Sequence, residues 1–176
     1  MDFEELLRRV DARVRRYDGP ADAAVVLGAA VEAEADALWG AAQPADPGRV
    51  SGVEEERRAA ASLVLGWLAY CRHTALGPGL PAVVELARAV LRLSPIASAG
   101  ATVPAGLRSM IGAGADAEVQ ADTGTRLLLA TGHTDDRGVL QAAVVLLGSA
   151  LGRLPAEHPE WARFTANFGL ASLWVE

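Results

Sequence analysis

Residues 142–151 read AAVVLLGSAL, and this stretch decides the fold because it resembles an earlier one, DAAVVLGAAV at 22–31. Each copy is followed by a loop and then by a segment that starts acidic and holds a central glycine, at 55–70 and again at 157–174. Third copies of the two kinds of segment stand at 80–91 and 122–132. Such repetition is typical of stacked antiparallel helix pairs, because one pair cannot bury its apolar side alone.

Apolar residues recur at helical spacing in seven segments, which predicts seven main helices with short connections. Their expected bounds are 2–17, 21–41, 53–76, 80–93, 115–131, 136–154 and 157–175. No stretch alternates with period two over the length of a strand, so we expect no sheet. The fold class predicted is all-α, with antiparallel helix pairs stacked as an α-solenoid.

A chain of 176 residues has the size of a single domain, which we place at 1–176. Within it, the repeats are weaker over 1–93 and clearer over 115–176. The stretch between them, 94–114, is rich in glycine, alanine, serine and proline. It is therefore predicted to be a linker, with one short helix over 104–111.

The composition narrows the classes of function. The net charge is −6, which disfavours binding to nucleic acid or to an anionic membrane. Cys71 is the sole cysteine, so an internal disulfide and a cysteine-rich zinc site are excluded, and with three scattered histidines we expect no metal or cofactor. The charged first residues and the short apolar runs predict a cytoplasmic protein.

Three glycines are expected to mark close helix contacts. Gly66, Gly124 and Gly169 lie in mid-helix, where glycine costs about 1 kcal/mol relative to alanine. That cost is tolerated where a neighbouring helix must approach closely, and Ala143 and Ala150 are the expected small partners. The same argument predicts that Gly169→Leu would overpack a helix pair.

The C-terminal third also carries a recognisable series of short motifs. They are Asp122-Thr123-Gly124, Thr131-Gly132-His133, Ala143-Val144-Val145-Leu146-Leu147, Pro155-Ala156-Glu157-His158-Pro159-Glu160-Trp161 and Asn167-Phe168-Gly169. This series resembles the tetratricopeptide-like repeats of actinobacterial proteins that often carry a CHAT domain, a caspase-like peptidase module. The family has Asn-Leu at 122–123, Asp at 133 and Arg at 161, so this chain departs from it there.

The resemblance covers the repeats over 115–176 and, more weakly, 20–93. It implies a tetratricopeptide-like α-solenoid with a groove for protein segments. The peptidase activity is not implied, because the His-Gly segment and the separate cysteine of the CHAT module have no counterpart in the sequence.

The residues that invite a catalytic interpretation have simpler ones. Cys71 and His73 are two apart on one helix and point about 200° apart, so they cannot pair locally. His158 fits a helix-entry turn, and His133 fits a solvated loop. Paired acidic residues at 54–56 and 135–136 stand at helix starts, where they cap. We therefore expect no catalytic residue and no enzyme, with a small hydrolase as the least favoured alternative.

The basic run at the start of the chain is likewise only weak evidence for a binding function. Five arginines between positions 8 and 16 are balanced by four acidic residues on the same helix, which leaves a sum of +1. A solvated or partner-facing helix is therefore favoured over a nucleic-acid contact.

Candidate binding residues come from the aromatic and apolar pattern. Trp67 and Tyr70 follow Gly66 on the kind of helix that lines the inner groove of such arrays, where they could stack on a peptide or, alternatively, pack between repeats. Arg126, two residues past Gly124, is the matching polar candidate.

The last helix spreads its apolar residues over more than one face, so Phe168 and Trp174 are expected to form a self-association or capping surface. The predicted function is a non-catalytic module that binds a protein or peptide, as the regulatory or sensor part of a larger system. The alternative is a self-associating scaffold domain, with homo-oligomers or an adjacent domain packing on the last helix.

Overall fold

The computed structural model describes residues 1–44, 46 and 51–175, and this part of the chain is all-helical without a strand. Its α-helices are α1 (Phe3–Arg16), α2 (Ala29–Ala41), α3 (Gly52–Leu76), α4 (Leu80–Ser98), α5 (Ala117–Ala130), α6 (Arg137–Leu151) and α7 (Trp161–Val175). Short 3₁₀ turns span Pro20–Val25, Ala105–Leu107 and Thr131–His133. The predicted all-α fold of packed helix pairs is confirmed.

Consecutive helices pack as pairs. Helix α3 lies on α4, α5 lies on α6, and α7 packs on α6, while α4 against α6 joins the pairs. Helix α1 packs on both α2 and α3. The tight connection from α3 to α4 uses Gly77 and Gly79 at φ +66° and +151°, values that favour glycine. Such a short connection returns the chain antiparallel to itself.

Side-chain caps fix where several helices begin. Asp2 accepts a hydrogen bond from the backbone N–H of Glu5, and Ser51 forms a reciprocal capping box with Glu54. Asp116 and Asp136 cap α5 and α6 in the same way. Each cap satisfies N–H groups that a helix leaves unpaired at its first turn.

The first copy of the repeated sequence does not fold like the second. Residues 142–151 are continuous helix in α6, whereas 22–31 contain the end of a 3₁₀ turn, a break at Gly28 and the start of α2. Gly28 has φ +109°, outside the helical region. The helix predicted over 21–41 is therefore wrong in its first third, because glycine lets the chain turn at that point.

The stretch predicted to be a linker is partly helix and partly core. Helix α4 continues through Pro95 to Ser98, beyond its predicted end at 93. Residues 99–116 then carry Val103, Leu107 and Ile111, all buried in the core between α3, α4, α5 and α6. The short helix predicted over 104–111 is a 3₁₀ turn of three residues.

Two of the three predicted glycine contacts are confirmed. A Cβ built at Gly66 would lie 2.5 Å from Leu93 Cγ, and one at Gly124 would lie 3.2 Å from the carbonyl oxygen of Ala143. Gly169 is exposed, with nothing within 4 Å of such a Cβ, so that prediction is wrong. In the α6–α7 pair the small residue is Gly148 of α6, which lies against the ring of Phe168.

Candidate functional site

Trp67 and Tyr70 line a cleft of about 480 Å³ between α1 and α3, which we call the aromatic cleft. Both side chains are partly buried. The residues that line it come from both helices and the turn after α1: Asp11, Val14, Arg15, Tyr17, Leu63, Val64, Trp67, Tyr70, Cys71 and Thr74. Helix α3 supplies the aromatic wall because positions 63, 67, 70 and 74 share one helical face.

The polar ends of the two rings are held by residues 99–116. Trp67 Nε1 donates a hydrogen bond to the carbonyl oxygen of Thr102 at 3.3 Å. The hydroxyl of Tyr70 lies so close to Gly106 that a Cβ there would collide with it. Both rings therefore contact residues 99–116 at their polar ends and offer largely apolar surface to the cleft.

Cys71 sits at the back of the aromatic cleft as a structural thiol. Burial raises the pKa of the Cys71 thiol to about 11, so at neutral pH it is protonated and a poor nucleophile. His73 is turned toward α4, where its Nδ1 lies 2.8 Å from the carbonyl oxygen of Ala82. As the spacing predicts, the two side chains do not form a local pair.

The two other histidines take the positions that the sequence suggested. His158 lies at the entry to α7, where Nδ1 accepts from the backbone N–H of Glu160 at 3.2 Å and Nε2 lies 3.0 Å from Glu118 Oε1. His133 is exposed at the end of a 3₁₀ turn.

Arg126 does not join Trp67 and Tyr70, because it is exposed on α5 and does not line the aromatic cleft. It borders a row of contacts between α5 and α7. The pairs in that row are Glu118–His158, Asp122–Arg163 and Thr125–Asn167. Their offsets are 158 − 118 = 40, 163 − 122 = 41 and 167 − 125 = 42.

The last turns of α7 carry exposed apolar side chains, which we call the apolar end of α7: Leu170, Leu173 and Trp174. Leu170, Leu173 and Trp174 are 41%, 72% and 55% exposed. Phe168, the other residue expected in such a surface, is half-buried and packs on Gly148 of α6. The structure therefore places Phe168 against the core and Trp174 at the surface.

Sequence reasoning missed an ion-paired cluster between α1 and α2. Arg13 Nε donates to Glu34 Oε2 at 2.7 Å, and Arg9 also bonds to the buried Glu34 carboxylate. The hydrogen bond from Arg13 lowers the pKa of Glu34. Two arginines of the basic run are therefore paired within the chain, and no local sequence pattern links them to position 34.

A second missed cluster lies between α2, α3 and α4. Arg72 Nη2 lies 2.7 Å from Glu32 Oε1, and Arg88 bonds to Glu85 at 2.8 Å and to Asp136 at 3.2 Å. The spacing of positions 85, 88 and 92 could have predicted one charged face on α4. Nothing in the sequence places Arg72 beside it, because that contact joins two helices.

Comparison with family models, curated proteins and solved structures gives no match. The tetratricopeptide-like resemblance therefore stays a prediction. Within residues 1–44, 46 and 51–175, no three histidine, cysteine or acidic side chains cluster as metal ligands would, and no helix has the length and apolar character to cross a bilayer.

Proposed function

We propose that this chain is a non-catalytic helical-repeat module that binds a protein segment at the aromatic cleft, as a regulatory or sensor component acting in the cytoplasm. The observation that carries the proposal is the pair of aromatic side chains, Trp67 and Tyr70, in the wall of the aromatic cleft, with Trp67 held by its hydrogen bond to Thr102. Fixed aromatic side chains lose little freedom on binding, and they are common among the residues that dominate protein interfaces.

The polar groups of the aromatic cleft favour a peptide over a reactive substrate. Arg15 is paired with Asp11 at 2.7 Å, and the Tyr17 hydroxyl lies 3.0 Å from Thr74 Oγ1. Because these polar groups already pair with each other, a ligand would be recognised mainly by the aromatic and aliphatic side chains of the cleft. The expected ligand is therefore a peptide that inserts an apolar side chain between α1 and α3.

The test selects peptides from a random displayed library on the whole chain and measures their affinity by fluorescence anisotropy. Tyr70→Ala should weaken binding about tenfold or more, on the scale of one lost anchor residue. Arg126→Ala is the matched control, because it changes an exposed side chain outside the aromatic cleft. Circular dichroism should show that both variants keep the helical fold.

Peptides that lose affinity with Arg126→Ala and not with Tyr70→Ala would contradict the aromatic cleft and move the binding surface to α5 and α7. Failure to select any peptide that depends on Tyr70 would count against the proposal in the same way.

A specific observation also favours self-association as a second candidate function. The apolar end of α7 exposes Leu170, Leu173 and Trp174, which share one face of the helix at spacings of three and four residues. Contiguous apolar surface is rarely left bare on a monomer. Here the partner would be a second copy of the chain or an adjacent domain.

Sedimentation velocity over a concentration series separates the two candidates. Self-association predicts a sedimentation coefficient that rises with concentration and that Trp174→Glu lowers to the monomer value. Val53→Glu is the control, because Val53 is an equally exposed apolar residue on α3. A monomer at all concentrations would exclude self-association and would not bear on peptide binding.

A further inference from the structure

A second cleft, of about 510 Å³, opens between α3 and α4 beside α2, on a different side of α3 from the aromatic cleft. We call it the arginine cleft. Its lining combines charged and apolar residues: Trp39, Glu55, Arg58, Ala59, Ser62, Arg88, Leu91, Arg92, Pro95 and Ile96.

Arginines outnumber carboxylates among the side chains that line the arginine cleft. Arg58, Arg88 and Arg92 line it together with one carboxylate, Glu55. Arg88 has carboxylates of its own in Glu85 and Asp136. Among the described residues, neither Arg58 nor Arg92 has a carboxylate within 4 Å.

Arg92 is positioned as an anion-binding group. Its guanidinium carbon lies 4.2 Å from the centroid of the Trp39 ring, which covers one face of the planar group. Burial lowers the pKa of Arg92 and the neighbouring Arg88 charge lowers it further, while the more distant carboxylates Asp36 and Glu85 act in the opposite direction. A partly desolvated guanidinium that is stacked on one face keeps its edge N–H groups available, and these match a carboxylate or phosphate in a two-point contact.

We propose that the arginine cleft binds an organic anion, in which a carboxylate or phosphate group is carried on an apolar body. The charged group meets Arg92 with Arg58 beside it. The apolar body lies along Leu91, Pro95 and Ile96 of α4. The volume suits a small molecule or a single terminal group, since ligand sites commonly measure about 300–1,000 Å³.

The test uses the full chain and four probes: benzoate, phenyl phosphate, benzamide and inorganic phosphate. Binding is followed by chemical-shift changes of the arginine Nε–H and backbone N–H signals. Benzoate or phenyl phosphate should shift the signals of Arg92 and α4, and the tighter of the two identifies the charged group. Benzamide, which has the ring without the charge, should bind at least tenfold more weakly. Inorganic phosphate, which has the charge without the ring, should also bind at least tenfold more weakly.

Arg92→Gln should reduce the affinity for the better probe at least tenfold, whereas Arg108→Gln, at an exposed arginine outside the cleft, should leave it unchanged. Arg92→Lys keeps the charge without the planar fork and should lie between them. If Arg92→Gln fails to fold, Arg58→Gln replaces it, because Arg58 is exposed on α3.

Wild-type affinity in both Arg92→Gln and Arg58→Gln would overturn the proposal. Equal affinity for phenyl phosphate and inorganic phosphate would overturn the role of the apolar wall, and with it the organic anion. Binding of peptides at the aromatic cleft is a separate measurement, so either proposal can fail without the other.

Discussion

Gly124 lets α5 approach the backbone of α6, and this gives a residue-scale prediction. In Gly124→Ala the new methyl would lie 3.2 Å from the Ala143 carbonyl oxygen and 2.8 Å from Leu147 Cγ. Because a backbone oxygen cannot turn aside, we expect a loss of about 1–3 kcal/mol in the free energy of unfolding. Urea denaturation followed by circular dichroism measures it.

Gly169→Ala is the matched control for this prediction. The same change in α7 meets nothing within 4 Å, so it should stabilise the chain by up to about 1 kcal/mol through helix propensity. Equal losses at the two glycines would contradict the helix register that the structure gives.

Glu34 gives a prediction with a pH dependence. Its pKa is lowered on folding, chiefly by the hydrogen bond from Arg13, so its carboxylate contributes stability above the unfolded pKa. Glu34→Gln should lower the free energy of unfolding at pH 7 by about 1–2 kcal/mol, less than a fully buried pair because Arg9 is half-exposed.

The loss caused by Glu34→Gln should shrink as the pH falls from the unfolded pKa of Glu34 through its lower folded pKa, because the wild-type carboxyl is then protonated first in the unfolded chain and finally in the folded one. Urea unfolding of both proteins between pH 3 and pH 7 checks the sign. Glu56→Gln, at an exposed position of α3, should show no such trend. A loss that stays constant with pH would show that the side chain stabilises by packing and not by charge.

At the scale of elements, residues 99–116 behave as core and not as a connection. Leu107 is fully buried among the side chains of α3, α4, α5 and α6. Leu107→Ala should therefore cost about 2–5 kcal/mol in the free energy of unfolding, as it does for core leucines. The control is the neighbouring exposed residue, in Arg108→Ala. Similar small losses of stability in both variants would contradict the placement of this segment in the core.

The sequence predicts helices well where the apolar period of 3.6 is unbroken. Helices α1, α3, α5 and α6 begin and end within about three residues of the predicted bounds, and Asp136 caps α6 as expected. The errors lie where the period is ambiguous. The residues around Gly28 are apolar enough to continue a helix, yet the 3₁₀ turn ends at Val25 and α2 begins only after Gly28, whose positive φ breaks the helical conformation.

The candidate site is less predictable, because it depends on which helices meet. Trp67 and Tyr70 share one face of α3, and the sequence places them together. The α1 side of the cleft could not be foreseen, since α1 and α3 are about 50 residues apart. The same holds for Arg92, whose stacking on Trp39 joins α4 to α2. Long-range contacts of this kind leave no periodic trace in the sequence.

At the scale of the whole molecule, the core is divided into three unequal parts. One lies between α1, α2 and α3, and a larger one lies between α3, α4, α5, α6 and residues 99–116. Helix α3 belongs to both, because Leu65 and Leu68 face the first and Ala69 faces the second. The third part is small and ties α7 to α5 and α6. The stability of each part should therefore depend mainly on its own packing and on its contacts with the neighbouring part.

Helix α7 should consequently open before the rest of the molecule. It buries Phe164 and Ala171, whereas α6 buries seven side chains and packs on α4, α5 and α7. Hydrogen–deuterium exchange with mass spectrometry should show the least protection in α7 and the most in α3 and α6, because exchange reports the free energy of local opening.

Phe164→Ala tests whether this opening is local. Loss of the ring from the smallest core should cost about 3–5 kcal/mol at that site. Exchange should then rise in α7 and, less, in the facing part of α6, while α1 and α2 keep wild-type protection because their core does not include Phe164. If protection falls equally in all helices, the chain unfolds as one cooperative unit. The division into three cores would then describe packing and not stability.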